Sequence, residues 1–261
     1  MAVWMSAWPL SVGLSGTLLI DELRALNYCI SSYSFRRMDN LDFLPVIAAR
    51  HCVRAFQDRP VPVETLTDVL RAAANAPSTR NIQPWHVEVL VGPARDALAK
   101  RLCEAFDARH PTKHDYVNRP VELDKVAQRR SAAFGTGIYG VKGIARDDQE
   151  ARHLHIRDNF RFFDAPVEMI FHLPGNAVAG TFLEMGLFLQ NVLVGLVAAG
   201  LGSCPQYSVA GYSDVIRECL GLTPDRLIVC GLAVGHPDGS APVNTFYPER
   251  AALHEYVRWH E

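Results

Sequence analysis

Hydrophobic residues recur along the chain at two spacings, and these separate the predicted helices from the predicted strands. Apolar side chains fall on one helical face between Leu66 and Ala73, which predicts a helix from about 63 to 75. Pro77 ends that helix, because the residue before a proline is pushed out of the helical region. Alternating apolar residues then predict a strand from Trp85 to Val91.

A second apolar pattern covers residues 181–199 and is stopped by Gly200. A helix that is apolar nearly all round has no solvated face, so we expect it in the centre of a domain or of a dimer. Glu184 and Asn191 within it argue against a membrane span. Residues 110–165 are polar with scattered glycines, and they predict helices with an irregular excursion. The other predicted elements are helices at about 41–50, 94–108 and 212–220 and strands at 167–173 and 227–234.

The first twenty residues carry no charge, which raises the question of a membrane span. Pro9 and Gly13 interrupt the run, and it lacks both the basic start and the small-residue cleavage site of a signal peptide. Recognisable patterning begins only after Met38. We therefore expect one domain over residues 38–261, with residues 1–37 as an extension outside it.

Composition narrows the class of protein. The chain has 261 residues, of which 49% are apolar, and this is ample for a substantial core. A net charge of -2 supplies no overall attraction to nucleic acid. The 6 cysteines include no C-x-x-C pair, so the sequence predicts neither a disulfide scaffold nor a zinc ribbon. A reducing cytosol is the location that this cysteine usage predicts.

Motifs of three other function classes fail in their context. Gly135–Gly140 satisfies G-x-G-x-x-G, but the residues before it predict helix or loop where a dinucleotide fold requires a buried strand. His110 and His114 have the spacing of a helical metal pair, yet Pro111 lies between them, so we predict no metal site. A serine hydrolase is excluded because the chain has no G-x-S-x-G elbow.

The remaining polar clusters suit a phosphorylated planar ligand. Arg50 and Arg54 follow a predicted helix, and two guanidiniums can chelate a phosphate, although solvated surface arginines are the alternative. The turn Ser78–Gln83 offers hydroxyl and amide groups either to a ligand or to its own backbone. In the segment Cys204–Ser208, Pro205 fixes the backbone direction so that neighbouring N–H groups can face a ligand.

Taken in chain order, these pieces resemble the nitroreductase family of flavin mononucleotide (FMN) oxidoreductases. The segment Arg50–Phe56 looks like the family's R-[RH]-S-x-[RK]-x-F element, and Ala76–Trp85 matches A-P-S-x-x-N-x-Q-P-W at every defined position. Gly200–Gln206 resembles the C-P-Q version of a nitrobenzoate-reductase-like branch. The likeness spans about residues 41–258. It extends through Arg157–Pro166, Cys230–Pro237 and Asn244–Arg250.

This resemblance implies an α+β fold with a central, mostly antiparallel sheet flanked by helices. Two chains would form an intertwined homodimer around a long central helix, with FMN at the interface. NADH or NADPH would give hydride to the flavin, and an aromatic acceptor such as a nitroaromatic or a quinone would then take the electrons in a ping-pong cycle. No catalytic side chain is implied, because the flavin carries the chemistry.

The resemblance also assigns cofactor-binding residues. The ribityl phosphate and the pyrimidine side of the ring are assigned to Arg50, His51, Cys52, Arg54 and Arg250. The turn with Pro77, Ser78, Asn81 and Gln83 would reach the flavin of the other subunit. Asn159 and Arg161 would lie near the N1, C2-carbonyl and N3 edge, and Pro205, Gln206 and Tyr207 near N5 and O4. A positive charge from Arg54 or Arg161 near N1 would favour the reduced flavin.

Departures from the family pattern concern the phosphate end. Cys52 stands where serine is usual, which weakens one hydrogen bond because a thiol is a poorer donor. Thr245 and Tyr247 occupy positions that often carry arginine, so we expect modest FMN affinity.

A loop over residues 134–146, with glycine hinges, is the predicted pocket cover. Phe134 and Tyr139 in it would either stack on a substrate or pack into the core. Two alternative functions stay open: another flavin reaction on the same fold, such as reductive dehalogenation or dehydrogenation of a small heterocycle, and non-catalytic flavin binding.

Overall fold

The structure, a computed structural model, describes residues 43–261. A four-stranded antiparallel sheet forms the centre of this part of the chain. The strands are β1 (His86–Val91), β2 (Val167–Leu173), β3 (Gly202–Gln206) and β4 (Leu227–Gly235). Their spatial order is β1, β2, β4, β3, and each neighbouring pair is antiparallel. The predicted central sheet is confirmed. The predicted extension at 1–37 and the predicted start at Met38 lie outside the described residues.

Helices flank the sheet, and local sequence explains where several of them begin and end. The carboxylate of Asp124 accepts hydrogen bonds from the backbone N–H groups of Val126 and Ala127, at 2.8 Å each, and so caps the helix that begins at Lys125. Gly221, at φ 64°, supplies the left-handed residue that ends the helix Ser213–Leu220. The α-helices of the described residues are α1 (Phe43–Ala49), α2 (Val63–Ala73), α3 (Gly92–Asp107), α4 (Lys125–Val141), α5 (Gln149–Arg157), α6 (Ala179–Ala198) and α7 (Ser213–Leu220).

Alternation along the strands sends side chains to two separate cores. On one face of the sheet, Met169 and Phe171 of β2 pack with apolar residues of α2 and α6. On the other face, Ile170 of β2 and Ala233 of β4 pack with apolar residues of α3 and α7. The sheet therefore carries one helical layer on each face.

The long apolar helix α6 is only partly buried. By length and composition alone it could cross a membrane, a property that the core helices of folded domains share. Eight of its side chains, including Met185 and Phe188, are buried in the protein. Leu183 and Leu187 remain 67% and 40% exposed. One apolar stripe of α6 thus lacks a partner within the described chain.

Two sequence predictions differ from the structure. Residues 134–146 do not form a flexible cover, because α4 continues to Val141 and holds three of the four glycines of that segment in helical conformation. A Cβ atom at Gly137 would overlap the ring of Phe246, so this glycine permits a close approach rather than a hinge. The strand β3 was not predicted, because Gly202 and Pro205 interrupt the alternation of apolar residues that indicates a strand. It forms because β4 supplies an antiparallel partner along its whole length.

Candidate functional site

The segment 50–56 lies in extended conformation beside β3 and supplies the first part of the candidate site. The N–H of Val53 donates to the carbonyl of Ser203 at 3.0 Å, and Cys52 forms a single parallel bridge with Ser203. Further along, Phe56 bridges Pro237. These contacts fix the direction of the backbone, so the side chains predicted to hold a phosphate extend from a segment that is anchored to the sheet.

Arg50, Cys52 and Arg54 meet in a cluster with Cys204 of β3. Cys52 packs against the core cluster that contains Cys204, and Arg54 Nη1 donates to the Cys52 carbonyl at 3.5 Å. The hydrogen bond from Cys204, followed by the charges of Arg54 and Arg50, lowers the pKa of Cys52 to about 5 against the opposing effect of burial. Within the described residues, no carboxylate lies within ion-pairing distance of Arg50 or Arg54.

A buried asparagine ties the C-terminal arm to this segment, although it was matched only as the start of Asn244–Arg250 and not predicted as a site residue. Asn244 is 8% exposed, and its Oδ1 accepts the backbone N–H of Arg54 at 2.8 Å. Its Nδ2 donates to the carbonyls of Ala55 and Asp238 at 2.8 and 2.9 Å. One side chain therefore satisfies three backbone groups and sets the position of Arg54.

His51 and Arg250 come together with the arm residue Tyr247. The rings of His51 and Tyr247 lie 4.5 Å apart, and the Tyr247 hydroxyl is 3.4 Å from His51 Nε2. Tyr247 and Arg250 also line a cavity of about 400 Å³ between α4 and the arm. The predicted phosphate-end residues are thus brought to one side of the protein, and Tyr247 contributes its ring there in place of a charge.

Only one of the two predicted pocket aromatics lines this cavity. Phe134 lies in its wall, with its ring 5.7 Å from that of Phe246 and the Arg54 guanidinium 5.6 Å from its centroid. Tyr139 instead packs against α5, where the guanidinium of Arg152 lies 4.6 Å from its ring. Tyr139 therefore packs on α5 outside this cavity, and the pocket role stays a prediction for Phe134.

Asn159 and Gln206 are linked through a buried hydrogen bond. Gln206 is 1% exposed, and its Nε2 donates to the Asn159 carbonyl at 2.5 Å. Its side chain points into the core, so any ligand contact at Gln206 would use the backbone, as predicted. Tyr207 is half exposed, and burial raises the pKa of its hydroxyl. Pro205 is partly exposed beside it.

Arg161 lies between two carboxylates. Its guanidinium is 3.2 Å from Asp158 and 2.8 Å from Asp164, and Asp158 also accepts a hydrogen bond from Lys142 at 2.8 Å. The three residues that follow Arg161, Phe162–Asp164, all have positive φ values between 53° and 61°. Such non-glycine backbone is costly and clusters at functional sites. Lys142 was not predicted, and its spacing from Asp158 in the sequence gives no signal.

The Pro77 turn is organised on α6, away from the Arg50 cluster. The N–H of Thr79 donates to the buried carboxylate of Glu184 at 2.7 Å, and Ser78 Oγ accepts from the N–H of Gln83 at 3.0 Å. Trp85, which follows the turn, stacks on Phe188 of α6 with centroids 4.9 Å apart. Ser78 and Gln83 thus make local turn contacts within the chain, and the predicted reach of this turn to the flavin of another subunit stays a prediction.

Backbone strain marks the same turn. Arg80, Asn81 and Gln83 have φ values of 53°, 58° and 46°. The hydrogen bonds of the described residues tie this turn to α6 and not to the segment 50–56. The predicted cofactor residues therefore fall into two groups within one chain, one around Cys52 and one around Asn81.

The cofactor roles of these two groups stay a prediction, while the fold that carries them is that of a known family. The chain belongs to the nitroreductase family, whose model matches residues 47–236. It is 37% identical over 214 residues to the nitroreductase NfnB of Mycolicibacterium smegmatis, covering 82% of this chain and 91% of the relative. It is 33% identical to a 4-nitrobenzoate reductase of Nocardioides sp. strain LMS-CY, covering 82% of this chain and 88% of that protein.

A solved structure resembles the whole fold. The FMN and NADPH-dependent nitroreductase NfnB from Sphigopyxis sp. strain HMH superimposes with a TM-score of 0.81 at 35% identity, covering 85% of this chain and 100% of the other. The NfnB structure from Mycobacterium smegmatis, in complex with NADPH, has a TM-score of 0.80 at 36% identity, covering 84% and 97%. The predicted family and fold class are confirmed.

Proposed function

We propose that the protein is an FMN-dependent oxidoreductase that passes electrons from NADPH or NADH to a nitroaromatic or quinone acceptor. The observation that carries the proposal is the convergence of Arg50 and Arg54 on the partly exposed Cys52 in a chain of this family. The relatives named above are nitroreductases and a nitrobenzoate reductase, and two of them are described with FMN or NADPH. A cytosolic location is part of the proposal, supported by the thiol state of the five cysteines that the structure describes.

The donor set fits the tail and the ring edge of FMN. Arg50, His51 and Arg250 offer cationic and hydrogen-bonding groups, and no carboxylate of residues 43–261 forms an ion pair with them, which suits a phosphate. Pro205–Tyr207 lie at the C-terminal end of the edge strand β3, where backbone groups can meet a planar ligand. Tyr247 would cover one side of this site through its contact with His51.

When bound, FMN supplies hydride and electron transfer between the nicotinamide donor and the acceptor. The protein's own share is orientation and exclusion of water. Phe134 presents an aromatic wall beside Arg54, and a flat acceptor can stack there. Asn244 holds the backbone of Arg54 in place, so the Arg54 guanidinium starts from a fixed point beside the proposed position of the flavin ring.

The proposed working form is a homodimer. Leu183 and Leu187, one turn apart on α6, are exposed, and so is Ile82 of the Pro77 turn, which is itself hydrogen-bonded to α6 through Glu184. Exposed apolar side chains on a long helix favour an interface between copies. A second chain laid on α6 would bring its Pro77 turn, with Ser78 and Asn81, toward the flavin of its partner.

The experiment that tests this function begins with the absorption spectrum of the purified full-length protein. Yellow absorbance bleached by NADPH or NADH without oxygen, then restored by 4-nitrobenzoate or a quinone, is the expected result. Parallel titrations with the two nucleotides identify the preferred donor. Colour without bleaching would favour the non-catalytic binder, and bleaching without reoxidation by either acceptor would favour another flavin reaction. Colourless protein that takes up no added FMN would contradict the proposal.

A further inference from the structure

The cavity between α4 and the C-terminal arm carries charged side chains that the predicted cofactor site does not use. Its volume of about 400 Å³ lies at the small end of the range for ligand pockets, which suits a compound with a single ring. Arg129 and Arg130 of α4 line this cavity, and neither belongs to the predicted cofactor residues. The function of these two cations therefore needs a separate explanation.

One face of α4 forms the cavity wall. Val126, Arg129, Arg130 and Phe134 all line it, and their spacings of three and four residues place them on the same side of the helix. The ring of Phe246 from the arm lies 5.7 Å from that of Phe134. Arg129 precedes Phe134 by five residues, or about 7.5 Å along the helix axis. The cavity thus has an aromatic end and a cationic end within reach of one small molecule.

Arg130 is already paired at this cationic end. Its Nη2 donates to Glu255 Oε2 at 3.0 Å, and Glu255 Oε1 accepts the backbone N–H of Ala252 at 2.8 Å. The arm therefore holds the Glu255 carboxylate against Arg130, and the two charges offset each other.

Arg129 differs from its neighbour in having no such partner. No carboxylate of residues 43–261 lies within ion-pairing distance of Arg129. Asp124, at the start of the same helix, is engaged by backbone N–H groups instead. Three guanidiniums and two carboxylates line the cavity, so one positive charge is in excess. Since Arg250 is assigned to the phosphate of FMN and Glu249 is the only carboxylate of the lining without a partner there, Arg129 is the cation left for a second anion.

We propose that Arg129 binds a carboxylate on the electron acceptor, so that the protein prefers an anionic, single-ring nitroaromatic to a neutral one of similar size. The inference rests on the proposed function and narrows its acceptor. A guanidinium meets a carboxylate through two parallel N–H donors, which fixes the orientation of the bound molecule as well as holding it. The ring of that molecule lies against Phe134, toward the predicted cofactor residues.

The first test compares an anionic with a neutral acceptor in the purified, flavin-loaded protein. Arg129→Gln is expected to raise the KM for 4-nitrobenzoate by about tenfold, because it removes a charge-assisted hydrogen bond. The KM for nitrobenzene and both kcat values should stay within about twofold. Lys125→Gln, which removes the same charge from α4 outside the cavity, is the matched control and should behave as the wild type.

Two results would overturn the proposal. One is an equal change, or no change, in the KM values of the two acceptors on Arg129→Gln. The other is a rise in the KM for NADPH with that for 4-nitrobenzoate unchanged, because Arg129 would then bind the 2′-phosphate of the donor. Measuring the KM for NADH alongside that for NADPH identifies this second case.

A variant of opposite sign protects the test against loss of folding. Glu249→Gln removes a carboxylate from the cavity lining and is expected to lower the KM for 4-nitrobenzoate by about twofold to threefold, as for an exposed charge pair. Damage to the fold does not improve the binding of one acceptor. A KM for 4-nitrobenzoate that stays the same or rises in this variant would overturn the excess-charge argument.

Binding measured without turnover separates this inference from the proposed function. Calorimetric titration of the oxidised protein, with no nucleotide present, is expected to show tighter binding of 4-nitrobenzoate than of nitrobenzene, and Arg129→Gln should abolish the difference. A wild type that binds 4-nitrobenzoate in this way but does not turn over would contradict the proposed function alone. A wild type that turns over both acceptors and binds them equally would contradict only the role of Arg129.

Discussion

The segment around Cys52 and the turn around Asn81 carry the two halves of the predicted cofactor site, and they are built differently. The first is enclosed by its own chain: β3 lies on one side, and Asn244 satisfies its backbone from the other. The second stands on α6 through a single buried acceptor, Glu184, and leaves Asn81 exposed in strained conformation. One half is complete within a chain, and the other faces outward.

The strain indicates what the turn is for. Non-glycine residues with positive φ cost on the order of 1 kcal/mol or more each, and such conformations persist where the surroundings enforce them. The Glu184 carboxylate and the stacked pair Trp85–Phe188 supply that enforcement. A turn that only connected α2 with β1 would not require it. We infer that the turn is shaped to meet a second chain, as the proposed dimer requires.

The strongest test of this difference places charge on the exposed stripe of α6. The double variant Leu183→Glu and Leu187→Glu is expected to be a folded monomer that retains no FMN, because buried like charges oppose association. Sedimentation equilibrium and the flavin absorbance per chain measure the two effects. Leu154→Glu, on α5 with a similar exposure of 51%, is the matched control and should remain dimeric. A double variant that stays dimeric would show that α6 is not the interface.

The next test addresses the enclosed half. Asn244→Ala removes the partner of three backbone groups around Arg54, and we expect a loss of about 2 to 3 kcal/mol in the free energy of unfolding, with weaker FMN binding. Chemical denaturation followed by circular dichroism measures it. Thr245→Ala, next in sequence but exposed, should change stability by less than about 0.5 kcal/mol. Equal effects of the two substitutions would contradict a clamp at Asn244.

A third test compares the two arginines predicted to lie near the flavin ring. Arg161 is flanked by Asp158 and Asp164, which offset its charge, whereas Arg54 has no such neighbour within the described residues. Arg54→Gln is therefore expected to lower the midpoint potential of the bound flavin by roughly 30 mV, equivalent to about 1.4 kcal/mol for two electrons. Arg161→Gln should change it much less. A spectroelectrochemical titration decides, and a larger shift for Arg161 would reverse this assignment.

The two halves of the site also differ in which of their features the sequence predicts. The motif residues were identifiable because each half keeps its spacing within one short segment, as in Arg50–Arg54 and Ser78–Gln83. What joins each half to the rest could not be predicted. From the sequence, Glu184 in an apolar helix argues only against a membrane span, whereas in the structure its carboxylate accepts the N–H of Thr79. Long-range contacts such as that of Asn244 with Ala55 leave no periodic signal.

The predicted pocket cover failed for a related reason. Glycines at 135, 137 and 140 are compatible with a hinged loop, but they are equally compatible with a helix. In the structure the helix is capped at its start by Asp124, and Gly137 is required there because a side chain would overlap Phe246. A carboxylate before a run of helix-forming residues is the signal that favours a helix there. The cover is thus a rigid wall in the described structure, and substrates meet its side chains rather than a moving loop.

The smallest expected effect concerns that wall. Phe134 faces the cavity beside Arg54, whereas Tyr139, five residues along α4, packs on Arg152. Phe134→Leu keeps an apolar wall but removes the flat ring, so we expect the KM for a nitroaromatic acceptor to rise by about threefold to tenfold, in line with about 0.5 to 1.5 kcal/mol for an aromatic pair. The KM for the nucleotide donor is the internal reference, because a general loss of structure would change both constants. Tyr139→Leu should leave the acceptor KM within about twofold, because a residue outside the cavity is expected to change the binding free energy by less than about 0.5 kcal/mol. If Tyr139→Leu raised the acceptor KM more than Phe134→Leu, the acceptor would have to bind on the α5 side of α4, and Phe134 would not belong to the acceptor site.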